Sequence, residues 1–159
     1  MNMNAKKSFI TASVVCLALQ IIGVIISIVL AMPAQVAFGD QLLSPTDATS
    51  ATVAKAFLTN GTALAPPLML MIIFALLLLA ARRIGKWGTF GTALLSLLGL
   101  LFTFATLGEY NNPDRFTLVS GNVYVTLLLV NQASITAVTV LGVLTLITQI
   151  RKGVRSSIL

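Results

Sequence analysis

Four long apolar runs, separated by short polar segments, dominate the pattern of hydrophobic and polar positions along the chain. They cover approximately residues 8–32, 63–81, 87–107 and 122–150, and none contains Asp, Glu, Lys or Arg. An α-helix of about 20 residues crosses ~30 Å of hydrocarbon, so each run has roughly the length of a transmembrane helix. The pattern therefore predicts an all-α integral membrane protein with four transmembrane helices.

The first run has a second interpretation, as a cleaved secretory signal. Lys6 and Lys7 precede it, and Ala31, Ala34 and Ala37 are small residues of the kind found near a cleavage site. The apolar core of a secretory signal is normally about 7 to 15 residues long, and this run is much longer. Its length favours an uncleaved transmembrane helix.

Small or hydroxylated residues recur every three or four positions along the first, third and fourth runs, which places each set on one helix face. Helices in lipid associate where small side chains let backbones approach and hydroxyl groups bond across. The residues expected at such packing faces are Gly23, Ser27, Thr92, Ser96, Gly99, Thr103 and Gly142. We expect the face of the third helix to meet the first helix, with Gly99 leaving room for the amide of Gln20.

The segments between the runs contain recognisable start and stop signals. In the first outer loop, residues 33–62, Ser44 is a candidate N-cap, with Pro45 at the first helical position and Asp47 in the first turn. They predict a short helix over about 45–59 that lies on the membrane surface or caps the bundle. Pro66 and Pro67, near the start of the second run, either open that helix or kink it. The second outer loop, residues 108–121, contains a turn at Asn111–Asp114.

Charge is distributed unevenly between the two sets of connecting segments. Eight of the ten Lys and Arg residues flank the runs in three clusters, at residues 6–7, 82–86 and 151–155. All four acidic residues fall in the alternate segments, as Asp40, Asp47, Glu109 and Asp114. The positive-inside rule then predicts cytoplasmic termini in a cell membrane and an up-down-up-down antiparallel bundle. The whole chain, residues 1–159, is expected to form one transmembrane domain.

Composition narrows the classes of function. The chain is 57% hydrophobic and 9% charged, with a mean hydropathy of +1.00, far from the soluble range of about a quarter charged. Its net charge of +6 lies in the flanking clusters. Nucleic-acid binding instead needs a basic face on a soluble folded module, so we predict no nucleic-acid partner. The chain has no His, and Cys16 is its one cysteine. We therefore predict no catalytic residue, no metal, no cofactor and no enzymatic activity.

Uncharged polar residues remain as the candidates for binding. Gln20, Asn131 and Gln132 are possible contacts for a ligand or a partner, and Asn131 and Gln132 project about 100° apart on one helix. They can serve as hydrogen-bonding groups between helices, or, with Ser27 and Thr103, they can line an outward-facing notch.

Two functional hypotheses follow from these residues. The first is a non-enzymatic accessory, assembly or structural subunit that packs against other integral membrane proteins. The second is a binding or transport protein for a lipid or another small amphiphile, which would use the notch. Membrane lipid and a second copy of the chain are further expected partners.

Overall fold

The computed structural model of the chain describes residues 3–34, 43–109 and 121–156, and its fold within them is all-α. The helices are α1 (Met3–Val29), α2 (Ser50–Ala56), α3 (Leu68–Arg82), α4 (Lys86–Glu109) and α5 (Gly121–Ser156), with a 3-10 turn at Pro45–Asp47. Within the described ranges, three segments are long and apolar enough to cross a membrane: Asn4–Val29, Lys86–Leu107 and Asn122–Arg151. Helix α3 is a shorter apolar helix. The all-α prediction is confirmed, whereas the single domain over 1–159 includes undescribed residues and stays a prediction.

The helices pack side by side as a bundle. Helix α4 contacts both α3 and α5, and α5 also contacts α1, while α1 and α3 touch less extensively. Phe74 of α3 stacks on Phe102 of α4, with ring centroids 6.3 Å apart. Gly99 lies opposite Thr139, and Ser96 lies opposite Gly142, so α4 and α5 run in opposite directions.

The prediction that the small-residue face of the third helix meets the first helix is wrong. A Cβ atom on Gly99 would lie 2.7 Å from Oγ1 of Thr139, which places this face against α5. Gln20 is buried on α1, where its amide nitrogen lies 3.7 Å from the sulfur of Cys16 on the same helix. Helical periodicity identifies which face is buried, but several helices carry small residues, so it does not identify the neighbour.

The second predicted span, 63–81, is also corrected at its start. Helix α3 begins at Leu68, with Pro67 as its N-cap residue in an extended conformation (φ −52°, ψ 149°). The two prolines therefore open the helix and do not kink it, because Pro lacks an N–H and holds the preceding residue extended. At ~1.5 Å per residue, the 15 residues of α3 extend for about 22 Å, less than the ~30 Å of a hydrocarbon core.

The loop helix predicted over 45–59 is divided in two. Ser44 and Pro45 begin only the 3-10 turn, in which the Asp47 N–H donates to the Ser44 carbonyl at 3.1 Å. The α-helix starts later, at Ser50, and Thr49 caps it through reciprocal bonds with Thr52. The Asn111–Asp114 turn, together with Ala37 and Asp40, lies outside the described residues.

The described helices have an apolar outer surface, unlike a water-soluble protein, and bury polar side chains together with apolar ones. Buried positions include Ser13, Gln20, Ser27, Thr92 and Ser96, alongside an apolar core that contains Phe74, Phe102 and Val138. The outer surface is lined by large aliphatic and aromatic side chains, among them Ile25, Leu76, Leu101, Phe104 and Ile150. Apolar solvent is the medium in which this arrangement is stable.

Candidate functional site

A non-helical segment, residues 60–67, lies buried between α2 and α3, and we call it the buried turn. Gly61 has a positive φ of +83°, and the Thr62 N–H donates to the Ala65 carbonyl at 2.8 Å. The Ala63 N–H donates to the carbonyl of Met32, at the end of α1, at 3.3 Å. These bonds satisfy backbone groups that helical structure does not, as an apolar surrounding requires.

Two helices fix the Leu64 carbonyl at the centre of the buried turn. The side-chain nitrogen of Asn131, on α5, donates to this oxygen at 3.0 Å. A Cβ atom on Gly23 of α1 would lie 2.9 Å from the same oxygen. Asn131 therefore supplies a hydrogen bond, and Gly23 supplies the space that the backbone occupies.

A cavity of about 30 Å³ lies between the buried turn, α4 and α5. Its walls include Thr62, Phe102, Thr106, Asn131 and Ile135. The Thr62 hydroxyl and the side-chain oxygen of Asn131 are both buried without a hydrogen-bond partner among the described residues. A cavity of this size holds one or two water molecules, or the polar end of a small ligand. Both oxygen atoms can accept a hydrogen bond from such a group.

Gln132 is not among the residues that line this cavity. Its amide nitrogen donates to the Thr136 hydroxyl, one turn along α5, at 3.4 Å, and its side-chain oxygen has no hydrogen-bond partner in the described part of the chain. Gln132 is half-buried and Thr136 is exposed. The adjacent amides thus have different partners, because Asn131 donates to the buried turn, whereas the Gln132 nitrogen donates to the exposed Thr136 hydroxyl and the Gln132 oxygen stays buried.

The other predicted packing residues lie at helix contacts or bond within their own helix. The hydroxyls of Thr92, Ser96 and Thr103 donate to carbonyls of α4 four residues earlier, at 2.7, 2.7 and 3.0 Å. Gly142 is a meeting point of three helices, since a Cβ atom there would lie 2.9 Å from Cβ of Ser96 and 3.0 Å from the Phe9 ring. Ser27 is buried on α1.

Only part of the predicted notch comes together. Of Ser27, Thr103, Asn131 and Gln132, Asn131 alone is among the residues that line the cavity. Thr62 is not among the residues expected from the sequence to bind a ligand, because it falls at the end of the predicted outer loop, residues 33–62. Two consecutive prolines directly after an apolar segment are the signal that residues 62–65 leave the helix yet stay buried.

A second pocket lies at the opposite end of the bundle, where α1 begins and α3 ends. Lys6 is buried, and its ammonium donates to the Arg83 carbonyl at 2.5 Å. Lys7 and Arg82 are exposed and line the pocket with Lys6. Sequence analysis assigned these cations only to topology, because Lys6 and Arg82 are far apart in the chain.

In the part of the chain that the structure describes, no three His, Cys, Asp or Glu side chains come together as a metal site requires. Comparison with protein-family models, curated proteins and solved structures finds no match to this chain. The proposals that follow therefore rest on its own residues.

Proposed function

We propose that the chain is a multi-pass membrane protein whose α1, α3, α4 and α5 all cross the bilayer. The outward-facing aliphatic surface and the buried Ser and Thr side chains support this setting. Helix α3 is too short to cross alone, and the buried turn supplies the remaining depth with its backbone hydrogen bonds made inside the protein. Non-helical backbone at membrane depth is stable when protein encloses it in this way.

The proposed orientation has both termini in the cytoplasm. One end of the bundle, which we call the basic end, contains Lys6, Arg82 and Lys86. Arg151, near the C-terminal end of α5, lies at the same end. Asp47 and α2 belong to the other end, near the buried turn. Retention of Lys and Arg on the cytoplasmic side supports this orientation.

Within this setting, we propose that the protein is a non-enzymatic accessory subunit that packs against a helix of another integral membrane protein. The observation that carries the proposal is the amide of Gln132 beside the exposed hydroxyl of Thr136 on the outer face of α5. The exposed Thr136 hydroxyl accepts the Gln132 bond, and lipid chains offer its own hydrogen no acceptor, whereas a neighbouring helix with a carbonyl or hydroxyl does. Interhelical bonds of this kind contribute about 0.6 kcal/mol on average and up to about 1.7 kcal/mol.

Purification in a mild detergent tests the accessory role. The wild-type protein should co-purify with a larger membrane partner. The double variant Gln132→Leu with Thr136→Val should reduce the recovery of that partner roughly fivefold, because the free energy of association falls by about 1 kcal/mol. Thr126→Val is the matched control, because Thr126 is also exposed on α5 but its hydroxyl donates to its own helix at the Asn122 carbonyl. Recovery of the wild type only as a 16.8 kDa monomer would contradict the role, and a mass of twice that value would assign the face to a second copy.

The cavity favours a second candidate function, the binding of a small amphiphile with a hydroxyl donor. The specific observation is that Thr62 and Asn131 both line the cavity, and each has a buried side-chain oxygen without a partner among the described residues. A photoreactive long-chain alcohol should cross-link to residues that line the cavity, and Thr62→Val should abolish the cross-link. The exposed Thr59→Val is the control, and equal cross-linking in the wild type and in Thr62→Val would exclude this site.

A further inference from the structure

The pocket at the basic end joins two segments that are distant in sequence. It has a volume of about 510 Å³ and lies where the first turns of α1 meet the end of α3. Lys6, Lys7 and Arg82 contribute cations to its lining, which also contains Asn4, Ile10 and Ile84 and no acidic residue. Such a lining attracts an anion with several oxygen atoms.

The three cations are not equivalent. Lys6 is buried and its ammonium is held by the Arg83 carbonyl, so it also closes the C-terminal end of α3, where cations are favoured. Lys7 and Arg82 are exposed, and neither has an ion-pair partner among the described residues. Like charges that share a pocket repel one another, and a bound anion would relieve that repulsion.

Apolar groups continue from this pocket toward the region that α1 and α3 share. Ile10 lines the pocket on α1, and Ile84 is 85% exposed beside α3. Helices α1 and α3 contact each other less extensively than α3 and α4 do, and both present exposed aliphatic side chains, such as Val14 and Ile72, to the surroundings. Trp87 is 70% exposed just beyond α3, as is typical of aromatic residues at the headgroup level.

We infer that this pocket binds the phosphate headgroup of an anionic phospholipid, with an acyl chain along the exposed aliphatic side chains of α1 and α3. Lys7 and Arg82 bind the phosphate oxygens, and Lys6 fixes the end of α3 so that Arg82 stays beside α1. The site rests on the proposed membrane setting, but it is independent of the accessory role. Basic pockets between transmembrane helices are known to hold acidic headgroups.

Native mass spectrometry of the detergent-purified protein, titrated with phosphatidylglycerol, tests the site. The wild type should bind one molecule tightly, and phosphatidylcholine should bind more weakly. Lys7→Gln with Arg82→Gln should weaken phosphatidylglycerol binding about 25-fold, or about fivefold for each lost cation. Inorganic phosphate should compete poorly, because it lacks the acyl chain.

The matched control removes the same charge elsewhere, through Lys86→Gln with Arg151→Gln. These residues are exposed but do not line the pocket, so the tight phosphatidylglycerol site should be unchanged. Equal weakening by both double variants would overturn the site in favour of diffuse surface attraction. Full competition by inorganic phosphate would overturn the assignment to a lipid.

Both double variants keep the Lys6 bond, and equal resistance of the two variants to thermal unfolding would establish that they fold. Co-purification of a protein partner reports on the accessory role separately.

Discussion

The amide of Asn131 donates to the main-chain carbonyl of Leu64 at 3.0 Å, and this bond joins α5 to the buried turn across 67 positions of sequence. The carbonyl belongs to the segment where α3 has not yet started, so no helix supplies it with a donor. Asn131 therefore acts on the backbone of a neighbouring element, and its side chain compensates for a break in helical structure.

Replacement of Asn131 by Leu should lower the free energy of unfolding by about 1 kcal/mol, because a buried carbonyl loses its donor. Unfolding in mixed micelles with increasing denaturing detergent would measure the loss. Thr126→Val, on the exposed face of the same helix, should have little effect. An equal change in both variants would mean that the Asn131 bond contributes nothing.

A methyl group on Gly23 should also disturb the buried turn. In Gly23→Ala, the new Cβ atom would lie 2.9 Å from the Leu64 oxygen and 3.1 Å from Leu64 Cβ, so the turn must move. Overpacking of this kind costs about 1 to 3 kcal/mol. Because the Asn131 bond uses the same carbonyl, the effects of Gly23→Ala and Asn131→Leu should be less than additive in a double-mutant cycle. Strict additivity would contradict a shared contact.

The contact between Gly99 and Thr139 can be tested with a destabilising substitution at Gly99 and a compensating substitution at Thr139. Gly99→Ala places a Cβ atom 2.7 Å from the Thr139 hydroxyl and should lower the free energy of unfolding by about 1 to 3 kcal/mol. Thr139→Ala removes that oxygen, so the double variant should recover most of the stability. If Thr139→Ala gives no recovery, the close contact between α4 and α5 is not the cause of the loss.

Thiol labelling in intact cells should report the proposed orientation. Cys16 is buried, and Cys16→Ser gives a background without cysteine. In that background, a membrane-impermeant thiol reagent should modify Leu58→Cys from outside the cell. Ile84→Cys should react only after the membrane is permeabilised. Both positions are exposed in the structure, so access depends on the side of the membrane. Labelling of Ile84→Cys from outside would show that the orientation is the reverse of the one proposed.

The sequence alone determined the helical class and the positions of the long apolar helices. Three of the apolar runs correspond to long helices: 8–32 to α1, 87–107 to α4 and 122–150 to α5. An uncharged run of this length in an apolar medium satisfies its backbone polar groups only by forming a helix. The sequence also indicated which residues lie on buried faces, since periodicity and small side chains are local properties.

Tertiary structure decided which faces meet. Only the packing of α1 beside α5 brought Gly23 and Asn131 to the same Leu64 carbonyl, and only the meeting of α1 with α3 put Lys6 beside Arg83. The start of α3 at Leu68, later than the apolar run indicates, likewise left residues 62–65 as a buried non-helical segment and not as an exposed loop. Contacts between distant segments depend on the fit of whole helices in space, and the spacing of residues within one helix carries no information about that fit.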